Sequence, residues 1–298
     1  MADAGPSELL IRQRLAALNR AVPVAQSGDV DGIHQARVAT RRLREALPLV
    51  ARGSTGRKLK KRVRRLTRAL GSVRELDVAL MTLDEVQANG DVPAGGIVRL
   101  RDIMGAERQR VCVDMVRRIE RADLDTLRRK ALAAARRHQP ERGRARSGDP
   151  SRLMSARRRA ARRAFVLRAA IENAGGIYLP DRLHQVRIAV KKLRYGMEIA
   201  RELSGSRAIA RIRTLKGAQD LLGRMHDLEV LIARIRALQG SDQAPNLKLS
   251  ADLDRLVRRL ETECRQLHVR YMVFKQKLLD VCDHVTAVAT DERGASAA

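Results

Sequence analysis

The chain has 298 residues, 44% of them hydrophobic, and is long enough to bury a substantial core. Its formal net charge of +27 favours a polyanionic partner: nucleic acid, an anionic membrane surface or a phosphate polymer. Aromatic residues make up only 2%, which argues against proteins that stack single-stranded bases on aromatic side chains. A polyanion without rings fits better, while arginine contacts to a DNA backbone stay open.

Helical periodicity runs through nearly the whole chain, because apolar residues recur three and four positions apart and strand-like alternation is absent. Gly71 is predicted to end a helix, and Ser72 with Glu75 forms a capping box that restarts one. Pro48 is expected to kink the second helix or end it early. The fold class is therefore all-α, with helices predicted in chain order over 7–26, 31–51, 56–71, 73–89, 95–138, 151–174, 181–203, 206–222, 225–239 and 247–284.

Two stretches of the sequence occur twice. "IHQARVATRRLR" (33–44) returns as "LHQVRIAVKKLR" (183–194), and "LGSVRELDV" (70–78) returns as "LGRMHDLEV" (222–230). Two echoes in the same order predict an internal duplication and hence two similar helical bundles. The predicted halves are about 7–138 and 151–285, joined by a linker over 139–150 that is rich in Pro, Gly, Ser and Arg.

Each H-Q helix carries a row of cationic side chains beside its histidine. At 100° per residue, the four members of each row fall on one side of the helix, within about 80°. No acidic residue interrupts them, whereas a solvated polar face usually mixes both signs. We therefore predict an anion site over a merely solvated face. The first row is His34, Arg37, Arg41 and Arg44, and the second row is His184, Arg187, Lys191 and Arg194.

The helix after the first row adds further cations. Lys61, Arg65 and Arg68 share one of its faces and Arg64 borders that face, so all four are predicted to contact the anion. In the second copy Lys216 aligns with Arg64. Contacts from these side chains to a polyanion would be charge-assisted hydrogen bonds.

The histidines and the nearby carboxylates have more than one interpretation. His34 and His184 contact the anion, orient neighbouring residues or transfer protons, and the pattern leaves these three roles open. Glu75 and Asp227 are predicted to orient arginines of the H-Q helices, with complementing the helix dipole as the alternative. The acidic pairs are two residues apart and point about 200° apart on a helix, so they cannot hold one metal.

Catalytic and targeting signals are not found. The common nucleotide-binding and hydrolase motifs are missing, so no catalytic residue, metal or cofactor is predicted, and the protein is expected not to be an enzyme. The three cysteines are scattered without a C-x-x-C pair. Without an apolar leader or a run of transmembrane length, we expect a cytoplasmic location and no membrane partner.

The two H-Q helices, each followed by the Leu-Gly-x-x-Arg/His-Glu/Asp-Leu-Asp/Glu-Val element, resemble the CHAD family, the conserved histidine α-helical domain, over about residues 8–285. The resemblance implies a single CHAD domain spanning 1–298, with two pseudo-symmetric antiparallel four-helix bundles and a basic groove or pore between them. It also implies binding of inorganic polyphosphate and association with polyphosphate granules. A nucleic-acid-binding or compacting protein is the alternative. The implied contacts are the first and second rows with Arg64 and Lys216.

Overall fold

The computed structural model describes residues 6–51, 53–88, 94–137, 150–205, 209–241 and 246–294. In these ranges the protein is all-α, as predicted, and contains no strand. The helices, in chain order, are α1 (Pro6–Gln26), α2 (Val30–Val50), α3 (Gly53–Ala88), α4 (Ala94–Glu120), α5 (Leu124–Arg137), α6 (Pro150–Ala174), α7 (Pro180–Ser204), α8 (Ala210–Gln239) and α9 (Leu247–Gly294).

The prediction that a helix ends at Gly71 and restarts at Ser72 is wrong. Helix α3 runs through both residues, and Gly71 is not among the glycines with positive φ. The Ser72 hydroxyl does not cap a new helix but donates to the Arg68 carbonyl at 3.4 Å, the i−4 pattern of a helix interior. The predicted break between 222 and 225 is likewise absent, since α8 is continuous there.

The predicted helix over 95–138 is in fact two helices. The chain turns at Asp123, which has a φ of 47°, and Leu124 begins α5. The Asp123 carboxylate accepts a hydrogen bond from the Thr126 amide at 3.0 Å, so it caps the new helix. Pro48 lies in the last turn of α2, which ends at Val50, close to the predicted end.

The described helices form two compact units. Among the described residues, unit 1 contains 6–51, 53–77, 108–137, 150–157 and 195–205, and unit 2 contains 78–88, 94–107, 158–194, 209–241 and 246–294. This division does not follow the predicted halves, because α3, α4, α6 and α7 each contribute residues to both units. The internal duplication and the groove between bundles stay predictions.

Each unit has an apolar core built from both parts of the sequence. In unit 1 the buried leucines and alanines of α1, α2, α3 and α5 are joined by Ala156 and Ile199. In unit 2 Ile97 and Leu100 of α4 are as deeply buried as residues of α8 and α9. A Cβ added to Gly96 would lie 3.1 Å from a Leu253 methyl group, so α4 and α9 pack closely there.

Two further sequence predictions concern the linker and the absence of a membrane-spanning helix. The predicted linker 139–150 lies outside the described residues except for Pro150, which begins α6. None of the helices in the described ranges combines the length and apolarity required to span a bilayer.

Candidate functional site

The first row lies on α2, which is firmly held in unit 1. Asp29 caps this helix by accepting a hydrogen bond from the Gly32 amide at 2.6 Å. A Cβ on Gly32 would lie 2.7 Å from Val24, so the close packing of α1 on α2 requires a glycine there. The four side chains of the first row are all half-buried. They therefore belong to a packed surface with a fixed backbone.

One member of the first row is hydrogen-bonded to α3, and another lies near a cation of α3. Arg37 donates from Nη1 to the Gly71 carbonyl at 3.1 Å. Arg44 lies near Arg41 and Arg64, and burial, followed by these like charges, lowers the pKa of Arg44 from its usual value, with Glu45 acting in the opposite sense. Arg64 thus lies near the first row, and its contact with the anion stays a prediction.

The second row, on α7, has a similar set of neighbours in unit 2. Arg187 passes the equivalent glycine, since a Cβ on Gly223 would lie 4.0 Å from its Nε. Arg194 donates from Nε to the Gln219 side chain at 3.0 Å. Arg194 is therefore held by a side chain of α8, whereas in the first row Arg37 is held by a backbone carbonyl of α3.

Burial of the two H-Q helices matches position by position. Over 33–46 and 183–196, each pair of aligned residues is alike: both buried, both half-buried or both exposed. The buried positions of the second echo also match, with Leu70, Val73 and Leu76 corresponding to Leu222, Met225 and Leu228. The two sequence copies thus share one burial pattern, and the duplication that would explain it stays a prediction.

The histidines of the two rows have different neighbours. Burial, then Arg74, lowers the pKa of His34 from its usual value, with Asp31 opposing. His184 lies against His226, with 3.1 Å between their Nδ1 atoms and 4.4 Å between ring centres. Burial, then the adjacent Arg187, lowers the pKa of His184. Position 226 aligns with 74, so a permanent cation faces one histidine and an imidazole faces the other.

One of the two predicted orienting carboxylates lies close to its arginine. An Asp227 oxygen is 3.8 Å from Nη2 of Arg187, whose side chain is only 16% exposed. Glu75, its counterpart, is exposed on α3. The orienting role of both residues stays a prediction, with a direct distance to support it in unit 2.

The other carboxylate of each acidic pair has a role that the sequence reasoning missed. Asp77, fully buried, accepts from Nε of Arg108 at 2.5 Å, and Nη2 of Arg108 donates to the Gly28 carbonyl at 2.8 Å. Glu229 accepts a hydrogen bond from the Tyr178 hydroxyl. Burial and this hydrogen bond raise the pKa of Tyr178 above its usual value.

Gly28 and Tyr178 are 150 residues apart, the spacing of the H-Q repeat. Each precedes an H-Q helix, so in both units the second acidic residue ties down the turn that begins the cationic helix. In the sequence, the only sign of this role is that both copies have an acidic residue at this position, Asp77 and Glu229.

The remaining predicted cations of α3 divide between two places. Arg64 lies near the first row, whereas Lys61 and Arg65 line a cavity next to α5. Arg68 on α3 and Lys216 on α8 are exposed. Arg64 is therefore placed near Arg44, while Lys61 and Arg65 line the cavity, and a common anion contact of all four α3 cations stays a prediction.

Within the ranges that the structure describes, no three His, Cys, Asp or Glu side chains converge in a way that could hold a metal ion. The free cysteines are Cys112, half-buried, and Cys264 and Cys282, both buried. Burial raises the pKa of Cys264 to about 12 and that of Cys282 to about 11, so neither is a ready thiolate.

Comparison with known proteins places this geometry in context. A family model described as the CHAD domain matches residues 9–236. The CHAD domain from the plant Ricinus communis superposes with a TM-score of 0.69 at 21% identity, covering 93% of this chain and 92% of that one. PptA from Streptomyces chartreusis superposes with a TM-score of 0.58 at 14% identity, covering 96% and 98%. At these identities the likeness concerns the fold, and curated protein sequences gave no match.

Proposed function

The chain belongs to the CHAD domain family, which its match over residues 9–236 establishes, and from this premise we propose that it binds inorganic polyphosphate through the first and second rows. The observation that carries the proposal is the repetition of one half-buried cationic row in two units with the same burial pattern. In each row one arginine is already hydrogen-bonded to the neighbouring helix, Arg37 to the Gly71 carbonyl and Arg194 to the Gln219 side chain.

Preorganisation is what distinguishes these rows from an ordinary basic surface. A long arginine or lysine loses side-chain entropy when it binds a ligand, and that cost falls when packing has already restricted it. Arg37 and Arg187 are half-buried against glycines of the neighbouring helices. Each charge-assisted hydrogen bond to a phosphate oxygen then contributes about 1.5–3 kcal/mol before the remaining ordering costs.

The chemistry of the rows suits a polymer of phosphate alone. The described members of both rows are cationic or imidazole groups, and the whole chain has only three Tyr, two Phe and no Trp. A nucleic acid would bind through its backbone only, without stacking of its bases. Affinity for polyphosphate is expected to rise with chain length, because a longer polymer offers more phosphates to the same cations.

A matched pair of charge-reversal variants tests the site. Arg37, Arg41, Arg187 and Lys191 are changed to Glu in the row variant. Arg42, Lys60, Lys192 and Arg265, all exposed, are changed to Glu in the control, so both lose the same formal charge. The row variant should lose binding of long-chain polyphosphate and the control should keep most of it. Equal loss in both would mean that net charge alone, without a site, accounts for binding.

The alternative function, binding of nucleic acid, is separated by competition. Duplex DNA and polyphosphate are compared at equal phosphate concentration and one salt concentration, since both affinities fall steeply with salt. Polyphosphate should displace DNA. Displacement of polyphosphate by DNA would favour the nucleic-acid function instead.

We propose that binding is not accompanied by hydrolysis and that the protein acts in the cytoplasm, where it would associate with polyphosphate granules. Incubation of the pure protein with polyphosphate should release no orthophosphate. Release that disappears in a His34→Ala variant would identify an enzyme. Granule association is tested by comparing a fluorescent fusion of the wild-type chain with the row variant in cells that accumulate polyphosphate.

A further inference from the structure

A second cationic site lies in unit 1, away from both rows. The start of α3 and the C-terminal half of α5 line an open cavity of about 580 Å³, within the range of about 300–1,000 Å³ typical of ligand pockets. Its basic lining consists of Lys58, Lys61, Arg62, Arg65, Lys130 and Arg137. Alanines and Leu59 form the apolar part of its wall.

The cavity gathers positive charge, and none of the described residues that line it is a carboxylate. Six like charges around one space repel one another, which costs free energy unless an anion enters. Asp123 interacts with Arg62 but does not line the cavity. Nη1 of Arg62 is buried and has no hydrogen-bond partner among the described residues, so it is a donor in need of an acceptor.

The cavity is distinct from the first row. At 100° per residue, the mean direction of the four α3 cations that line the cavity lies about 110° around the helix axis from Arg64. These four are Lys58, Lys61, Arg62 and Arg65. Arg64 is the α3 cation that lies near Arg44 of the first row. The same helix therefore presents one set of cations towards α2 and another towards α5.

We propose that this cavity binds a compact oligophosphate of a few phosphate units, independently of the rows. Three of the ten lysines of this arginine-rich chain line it, and lysine recognises phosphate as a compact point charge. Among the described lining residues there is no aromatic ring or imidazole on which a nucleobase would stack. Six cations match the several negative charges of a short linear oligophosphate.

Calorimetry with tripolyphosphate tests the site. The cavity variant carries Lys58→Gln, Arg62→Gln and Lys130→Gln. The control carries Lys60→Gln, Arg121→Gln and Arg128→Gln, which remove the same charge from exposed positions of the same region. Tripolyphosphate affinity should fall by about tenfold or more in the cavity variant and by less than about twofold in the control. Equal affinity of the cavity variant and the wild type would overturn the proposal.

The row variant separates this inference from the proposed function. Changing Arg37, Arg41, Arg187 and Lys191 to Glu should leave tripolyphosphate binding largely intact while long-chain binding is lost. Loss of tripolyphosphate binding in the row variant, with retention in the cavity variant, would place the oligophosphate on the rows and refute a separate site. Circular dichroism melting curves confirm that each variant is folded.

Lysine acylation provides a readout that does not depend on substitution. Tripolyphosphate should protect Lys58, Lys61 and Lys130 in the wild-type protein, while Lys60, which is equally exposed but does not line the cavity, reacts as before. Uniform reactivity with and without tripolyphosphate would also overturn the proposal. In the row variant, displacement of labelled tripolyphosphate by long-chain polyphosphate would show that a segment of the polymer enters the cavity. Absence of displacement would restrict the site to free oligophosphates.

Discussion

Nη1 of Arg37 is 3.1 Å from the carbonyl oxygen of Gly71, and a Cβ at that glycine would lie 2.9 Å from the same nitrogen. The guanidinium thus occupies the space that any other residue at position 71 would fill. In unit 2 the equivalent glycine, Gly223, has only an ordinary contact at 4.0 Å with Arg187. The two copies therefore differ in how tightly the arginine crosses the neighbouring helix.

Gly71→Ala and Gly223→Ala should consequently have different effects. Gly71→Ala pushes the Arg37 guanidinium away and breaks its hydrogen bond, weakening polyphosphate binding by about fivefold, or ~1 kcal/mol. Gly223→Ala should leave affinity unchanged and stabilise α8 by up to ~1 kcal/mol, because alanine favours a helix interior. Polyphosphate titrations and urea unfolding of both variants measure this. Equal affinities in the two variants would show that the Arg37 contact with Gly71 is unimportant for binding.

Removal of Arg108 should destabilise the protein far more than removal of Arg101. Arg108 pairs with Asp77, whose side chain is 0% exposed, whereas Arg101 pairs with Asp84, which is 61% exposed. Arg108→Ala leaves a buried carboxylate without its cation and should cost about 3–5 kcal/mol. Arg101→Ala should cost about 1 kcal/mol or less. Urea denaturation gives both values, and similar losses would contradict the structural role assigned to Asp77.

Polyphosphate binding should be coupled to proton uptake. The pKa values of His34 and His184 in the free protein lie below the usual 6.5, chiefly through burial. A polyanion at the rows stabilises the imidazolium and raises both pKa values, so the complex holds more protons than the free protein. Affinity should therefore increase as the pH falls from about 7.5 to about 5.5.

Calorimetry in two buffers of different ionisation enthalpy measures that uptake directly. The double variant His34→Gln, His184→Gln should take up fewer protons than the wild type, while the row arginines remain. Equal proton uptake by the variant and the wild type would mean that these histidines do not sense the ligand.

Glu8 should contribute to the acid sensitivity of unit 1. Its carboxylate accepts hydrogen bonds from Arg12 and, at 3.1 Å, from Arg136 of α5. The Arg12 hydrogen bond, which outweighs burial, lowers the pKa of Glu8 below its usual 4.5. The carboxylate is bound more favourably in the folded state, so its contribution is complete above pH 4.5 and is lost as the pH falls through the folded pKa.

Glu8→Gln should therefore flatten the decline of the melting temperature below pH 4.5 relative to the wild type. Asp125→Asn, at a side chain that is 88% exposed, is the matched control and should retain the wild-type profile. Parallel profiles for Glu8→Gln and the wild type would exclude this pair of contacts as a source of acid sensitivity.

The sequence predicted what depends on local periodicity. The all-α class and most helix ends follow from apolar spacing, because each helix buries one stripe. Glycine has a low helix propensity, so the sequence predicts a helix end at Gly71. In the structure its missing side chain admits Arg37, and only a tertiary contact distinguishes the two roles.

The repeated rows could be predicted from the sequence. Contacts between residues that are distant in the sequence could not. The two rows are half-buried at matching positions, as a shared helical pattern suggests. The separation of Lys61 and Arg65 from Arg64 depends on the placement of α5, which periodicity does not specify. Arg108 connects Asp77 to the Gly28 carbonyl, and these three residues lie in separate segments of the sequence. The only sign of this contact in the sequence is that both copies have an acidic residue at the position of Asp77.

The exchange of helical segments between the two units has a consequence for the ancestry of the chain. Ala156 and Ile199 complete the core of unit 1, and Ile97 and Leu100 are buried in unit 2, each supplied from the other side of the predicted linker. A polypeptide equal to one predicted half would leave parts of two cores uncovered and would have to acquire them from another copy. If the chain arose by the predicted duplication, its half-length ancestor would have been an obligate dimer with exchanged helices. Its fusion into one chain would have made the partner permanent.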